Sequence, residues 1–346
     1  MPSPVTDTPS DPLAEKRAQM FIATFRSMVY GRAFEDKLAS LYRAGKIVGG
    51  VYLGRGQEAF SAALAHQLRP GQDVYAPLIR DQAGRYAMGE PLLDAARAYL
   101  GSASGPMRGR DGNIHRGSPR KGMLAMISHL GAMVSAVNGS LLARRLRGDL
   151  GDSIGATCIG EGGTSTGAFH EALNAAAVEG LPLVVAVANN RFSYSTPNER
   201  QFACENLADR AIGYGIEGYS VDATDLGACL EVFSTAVARA RSGHGPQLVV
   251  GTLLRLVGHG EHDDAPYITD AHRASPYARD CYTLAREHIL SEGWMSEAQL
   301  SSLEAQAQED VEAATNIAQT EPTPDPNRES WAALSTSHLA EGLQQP

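Results

Sequence analysis

Apolar positions along this chain change their period several times, and each change marks an element. Between positions 13 and 44 the residues Met20, Phe21, Phe25, Met28, Val29, Phe34, Leu38 and Leu41 recur near a 3.6-residue spacing. That predicts one long amphipathic helix, ended by Gly45. A Gly-rich turn then leads into a second helix, 73–76 reads as a short strand, and helical spacing returns over 131–146. The apolar run 154–159 opens a strand–turn–helix–strand unit. Thr164, Ser165 and Thr166 start its helix, Phe169, Ala172, Leu173, Ala176 and Ala177 mark the inner face, and Pro182 ends it. The run 183–188 is apolar enough for a strand covered on both faces. A helix near 207–214, a strand near 218–221, a helix over 226–241 and a strand over 247–256 continue the alternation. The pattern predicts an α/β fold: a doubly wound, mostly parallel sheet with helices on both faces. Segment 275–319 reads as further helix with Trp294 and Leu300 on inner faces, until a Pro-rich stretch breaks it at 321–326.

Composition narrows this picture. With 346 residues, 43 % of them hydrophobic, the chain can bury a sizeable core. The reading is a disordered tail over 1–12, one α/β domain over 13–320 and a Pro-rich arm over 321–346, whose end forms a short helix on a neighbouring subunit. A net charge of −9 argues against nucleic acid as a partner. No stretch approaches the ~18 apolar residues of a membrane span. The four cysteines show neither paired nor metal-type spacing, and no secretory signal is visible, so the expected location is cytoplasmic.

Chemistry gathers at the two turns of the central unit. Gly160-Glu161-Gly162-Gly163 follows the first strand, where glycines let the backbone approach a ligand and a helix N-terminus favours phosphate. Glu161 and Asn190 leave neighbouring strand ends 29 positions apart. They offer hard oxygen ligands for an octahedral Mg²⁺ that also takes diphosphate oxygens, with the backbone carbonyl of Phe192, just past Asn190, as third ligand.

Gly160-Glu161-Gly162 followed by Asn189-Asn190 at this distance resembles the thiamine-diphosphate motif in the alpha subunit of 2-oxo acid dehydrogenases. Branched-chain members often carry Glu at the acidic position, and many others carry Asp. The alternative is a nucleotide-site glycine turn or a plain βα connection. Further motifs follow in the family's order over roughly 13–319. Gly56-Gln57-Glu58-Ala59 is similar to the first-loop motif, although Tyr52 stands where many pyruvate- and acetoin-type members have His. Arg80 matches the arginine that holds the cofactor diphosphate, with Ile79 replacing the usual Tyr; its plainer reading is a surface salt bridge. The run 109–117 is similar to the family's glycine–histidine loop, where His115 either contacts the site or pins the loop. Ser128 and Leu130 align with residues that meet the aminopyrimidine in branched-chain members, Leu130 being a core residue otherwise. His259, in Gly-His-Gly-Glu-His-Asp-Asp, matches the catalytic histidine beside the cofactor, and its charge change near neutral pH suits proton relay or phosphate contact. His262 and Asp263 leave a zinc cluster as the other reading of this run. Gly260 replaces the regulatory serine of several mitochondrial members, which excludes phosphorylation there.

The resemblance implies cofactor binding through Arg80, Ser128, Leu130, Glu161, Gly162, Gly163, Asn190, Phe192 and His259, with Mg²⁺ on Glu161, Asn190 and Phe192. It implies decarboxylation of a 2-oxo acid by thiamine diphosphate and acyl transfer to a lipoyl-bearing acyltransferase core. The glutamate that activates the cofactor's pyrimidine comes from a beta subunit in this family, so an α2β2 heterotetramer is expected. Two other readings stand beside it: a two-subunit decarboxylase or carboligase without a lipoyl partner, and a non-catalytic nucleotide-binding or scaffold subunit. Glu161, the Ser128-x-Leu130 pair and Asp263-Asp264 lean towards branched-chain acids, and Gly-Gln-Glu-Ala leans towards pyruvate or acetoin.

Overall fold

The computed structural model describes residues 12–112 and 114–329. The elements, in chain order, are α1 (Pro12–Arg43), α2 (Glu58–Ala65), β1 (Val74–Ala76), α3 (Gln82–Ala87), α4 (Leu92–Leu100), α5 (Ala132–Arg147), β2 (Gly155–Gly160), α6 (Gly167–Val178), β3 (Leu183–Asn189) and β4 (Phe192–Ser193). There follow β5 (Thr196–Pro197), α7 (Arg210–Tyr214), β6 (Glu217–Asp222), α8 (Leu226–Arg241), β7 (Gln247–Thr252), α9 (Asp270–Arg273), α10 (Cys281–Ser291) and α11 (Glu297–Thr320). Five strands form one parallel sheet in the order β1-β2-β3-β7-β6, and β4 pairs with β5 as a separate antiparallel ribbon.

Strand β3 lies at the centre of the sheet, so both of its faces must be apolar. Val184, Ala186 and Ala188 point into the core shared with α1, α2 and α8, whereas Leu183, Val185 and Val187 point into the core under α5 and α6. The helix α6 that returns β2 to β3 and the helix α8 that joins β6 to β7 thus lie on opposite faces, and winding reverses between β3 and β7. Loops leaving the carboxyl ends of such strands form the crevice where open α/β sheets bind ligands. The loops after β1, β2, β3 and β7 meet there.

Several expected boundaries shift. The first helix buries Phe21, Phe25, Met28, Val29, Phe34, Leu38 and Leu41, but Met20 is exposed. A 3₁₀ turn over Glu161–Ser165 intervenes after β2, and α6 starts at Gly167 with Thr166 as its cap, whose hydroxyl accepts the Phe169 N–H at 3.3 Å. The last strand ends at Thr252, four residues early, because the Leu254 and Arg255 N–H groups turn away to the carbonyls of Tyr277 and Asn190. The expected disordered tail falls outside the described residues, except for Pro12, which opens α1. The arm is described only over 321–329, where Glu321 and Glu329 bind Arg97 and Arg110 of the same chain; the expected helix on a neighbouring subunit lies outside the described residues. All four cysteines are free, and among the described residues no helix is long and apolar enough to cross a membrane.

Candidate functional site

Arg80, Leu130, Glu161, Gly162, Gly163, Asn190, Phe192 and His259 line one pocket at the carboxyl ends of the strands. Glu161, Asn190 and the two glycines are expected from the strand-end pattern, and the others from the family resemblance. Ser128 is not among the lining residues: it stands on the exposed stretch before Leu130 and bonds to His115 Nε2, whose Nδ1 meets Asp111 at 3.1 Å. His115 therefore pins its own loop.

Glu161 is 1 % exposed, and its carboxylate lies 3.3 Å from the Asn190 N–H and 3.3 Å from Gln201 Nε2, both long contacts. Among the described residues no Lys, Arg or His forms a salt bridge with it. Burial raises its pKa above the ordinary carboxylate value, since the loss of water outweighs its hydrogen bonds and the Arg255 charge nearby. A buried carboxylate in that state fits a divalent cation. Asn190 sits beside it, with its side-chain oxygen accepting the Phe192 N–H at 3.4 Å, and the Phe192 carbonyl accepts Arg255 Nη1 at 3.0 Å, leaving a second lone pair.

The two glycines expected to open the turn to a ligand also answer to packing. A Cβ on Gly162 would lie 2.3 Å from Ser193 Oγ, so its absence lets β4 close over the turn. The helix terminus after them is already capped by Thr166. Positive charge at the pocket comes from the side chains of Arg80 and Arg255.

Arg80 is buried and makes no salt bridge among the described residues, which overturns the surface-pair reading. Its Nη1 donates to Leu53 O at 3.0 Å and its Nη2 to His259 O at 2.7 Å. His259 Nδ1 lies 3.3 Å from the same Nη2. Burial, with Arg80 and Arg255 nearby, lowers the His259 pKa to about 4. The ring is thus neutral at neutral pH, contrary to the charge change expected there. Its loop is closed by Asp263, whose carboxylate accepts the His259 N–H at 2.7 Å, and Tyr52 packs edge-on against the ring at 5.4 Å.

The zinc reading of this loop fails. Among the described residues the grouping of ligand atoms close enough for one ion is Glu58, Asp280 and Cys281, where Arg32 already bridges Glu58 and Asp280.

Sequence reasoning missed Arg255. It is 2 % exposed and donates to the carbonyls of Val257, Phe192 and Tyr194 and to the Tyr267 hydroxyl, so it fixes the loop after β3 from the strand end of β7. A lone arginine within the apolar run 253–257 was the available signal. Gln57, also in the pocket wall, has its side-chain oxygen without a partner among the described residues.

The arrangement combines an unpaired buried carboxylate, an adjacent amide, two buried guanidinium groups and a neutral imidazole. It suits a cation carrying an oxyanion. The chain matches the family model described as dehydrogenase E1 component over residues 26–327. It is 31 % identical over 312 residues to the alpha subunit of acetoin:2,6-dichlorophenolindophenol oxidoreductase of Cupriavidus necator, covering 89 % of this chain and 92 % of that one. Against the pyruvate dehydrogenase E1 component subunit alpha of Rhizobium meliloti the identity is 29 % over 314 residues, with 90 % and 89 % covered. Against the 2-oxoisovalerate dehydrogenase subunit alpha of Bacillus subtilis it is 33 % over 247 residues, with 71 % and 74 % covered.

Proposed function

The chain belongs to the dehydrogenase E1 component family, whose members depend on thiamine diphosphate, and from that membership and the Glu161 pocket we propose that it is the alpha subunit of a two-subunit 2-oxo acid dehydrogenase. The buried, unpaired Glu161 beside Asn190 carries the reading: a carboxylate kept from water at the crevice of an α/β sheet needs a cation, and Mg²⁺ with a diphosphate supplies one. Glu161, Asn190 and the Phe192 carbonyl hold Mg²⁺. Arg80 and neutral His259 face the diphosphate, the first by charge and the second as a hydrogen-bond partner. Leu130 and Ile79 line the same pocket with apolar side chains and limit water. Thiamine diphosphate, when bound, supplies the carbanion chemistry by which a 2-oxo acid loses CO₂.

A beta subunit completes the site and provides the acid that activates the cofactor. Ile127, Leu130 and Tyr194 stand exposed on the loops around the pocket, as a surface that a partner covers does. The acyl acceptor in this reading is a lipoyl-bearing acyltransferase core, and the enzyme works in the cytoplasm. The test is to purify the chain with its beta subunit and measure Mg²⁺-dependent thiamine-diphosphate binding and turnover. Pyruvate, branched-chain 2-oxo acids and acetoin are each offered with lipoamide, and acyloin formation is followed in parallel. Turnover that reduces lipoamide supports the dehydrogenase. Acyloin formation alone supports a carboligase, and absence of binding leaves a non-catalytic subunit.

A further inference from the structure

Glu35 lies on the inner face of α1, outside every motif, and is 4 % exposed. Both of its oxygens accept the Gly54 N–H, at 2.8 and 2.9 Å. Gly54 belongs to a strap, 51–54, that Arg80 grips from the other side through Leu53 O at 3.0 Å. The fit is close: a Cβ on Gly54 would lie 2.1 Å from Arg80 O and 3.1 Å from Glu35 Oε1. At its start the strap is tied to the histidine loop, because Val51 O accepts the Glu261 N–H at 2.8 Å. Arg80 in turn donates to His259 O. Glu35, strap, Arg80 and His259 thus form one continuous chain of contacts from the core of α1 to the pocket.

We propose that Glu35 is a positioning residue that sets Arg80 for the cofactor diphosphate, acting through the 51–54 strap. The inference rests on the diphosphate assignment made above. A backbone N–H held against a buried carboxyl group has little freedom, so the strap and the Arg80 guanidinium bonded to it keep one place. Glu35 is not salt-bridged among the described residues, and the charged or titratable groups facing it are Arg32 on α1, Glu58 on α2, Arg80 after β1 and Tyr99 on α4. Arg32 is engaged by Glu58 and Asp280.

A second consequence separates positioning from mere packing. Burial, with Glu58 close by, raises the Glu35 pKa to about 8. The group is protonated at pH 7 and ionises as pH rises through 8, which brings a negative charge towards the Arg80 end of the site. At an effective dielectric near 20, that charge is expected to weaken diphosphate binding roughly fivefold or more between pH 7 and pH 9.

The experiment titrates thiamine diphosphate with Mg²⁺ into the complex of this chain and its beta subunit by calorimetry at pH 7 and pH 9, for wild type, Glu35→Gln and Glu35→Ala. Gln mimics the protonated acid, so affinity in Glu35→Gln is expected to stay flat across this range while wild type weakens. Glu35→Ala releases the strap and is expected to bind about tenfold more weakly at pH 7. An identical pH slope in Glu35→Gln and wild type overturns the proposal, as does wild-type affinity in Glu35→Ala. If wild type itself binds no thiamine diphosphate, the reading of the site is wrong, an outcome distinct from a wrong role for Glu35.

Discussion

Replacing Glu161 by Gln separates a cation ligand from a structural acid, because the two roles predict opposite effects on the protein before cofactor is added. In the free protein the carboxylate is 1 % exposed, and the Asn190 N–H and Gln201 Nε2 reach it at 3.3 Å each. Leaving such a group unsatisfied costs about 1–3 kcal/mol, more when it is charged, and Gln removes the charge while keeping one acceptor. The amide nitrogen now faces one of the two donors, which returns about 1 kcal/mol of penalty. The free variant is therefore expected to be as stable as wild type or up to about 2 kcal/mol more stable. Cofactor binding moves the other way. Taking the lost contact as worth at least one charge-assisted hydrogen bond, about 2 kcal/mol, Kd rises roughly 30-fold. At a ligand concentration 100 times the wild-type Kd, binding stabilises wild type by about 2.7 kcal/mol and the variant by about 0.9 kcal/mol. At roughly 2 °C per kcal/mol for a chain of this size, the Mg²⁺–thiamine-diphosphate shift in Tm falls from about 5 °C to under 2 °C. Thermal melts of both proteins with the beta subunit, with and without cofactor and with EDTA, give all four numbers. An undiminished shift in the variant refutes the ligand assignment, and a free variant destabilised by more than about 3 kcal/mol shows that Glu161 is a structural pin.

Arg80→Ala is expected to lower thiamine-diphosphate affinity by about 1.5–3 kcal/mol by calorimetry, one charged contact being lost; unchanged affinity sends the diphosphate elsewhere. The folded His259 pKa of about 4 lies below the unfolded value, so the stability this neutral histidine contributes is complete above pH ~6.5 and is lost as pH falls towards 4. A His259→Gln variant should then show a flatter curve of Tm against pH between 4 and 6.5, and an equal slope would mean the ring is not held neutral. The chain without its beta subunit is expected to be inert towards 2-oxo acids and to bind the cofactor poorly. Mixing should restore binding and decarboxylation together, whereas comparable turnover by the chain alone would require an acid within it. Gly54→Ala places a Cβ 2.1 Å from Arg80 O, so the strap or Arg80 must shift, and both the free-protein Tm and cofactor affinity are expected to fall; unchanged affinity would show that the strap does not set Arg80.

The central unit was legible because its signals are local. A strand covered on both faces must be apolar along its length, and β3 is, from Leu183 to Ala188. Helix α8 runs over the span that its spacing predicts, Leu226–Arg241, with Asp225 as the cap that accepts the Ala228 N–H. Boundaries slipped where a tertiary partner took the backbone. The last strand lost four residues to Tyr277 and Asn190, and the turn after β2 wound into a 3₁₀ segment before α6 began.

Residue type and spacing determined the parallel α/β plan and put the two proposed oxygen ligands, Glu161 and Asn190, at neighbouring strand ends, since period and position along a strand place side chains without reference to the rest of the chain. What tertiary structure decided was charge and company. Arg80 reads alike in sequence whether it pairs at the surface or is buried against Leu53 and His259; only the packed fold shows the second. His259 keeps its ordinary titration in an extended chain, and the approach of Arg80 and Arg255 from separate strand ends, with burial, makes it neutral. Arg255 and Glu35 carry no motif at all. Their roles arise where segments far apart in sequence meet, because desolvation and hydrogen-bond partners belong to the packed state and not to the residues.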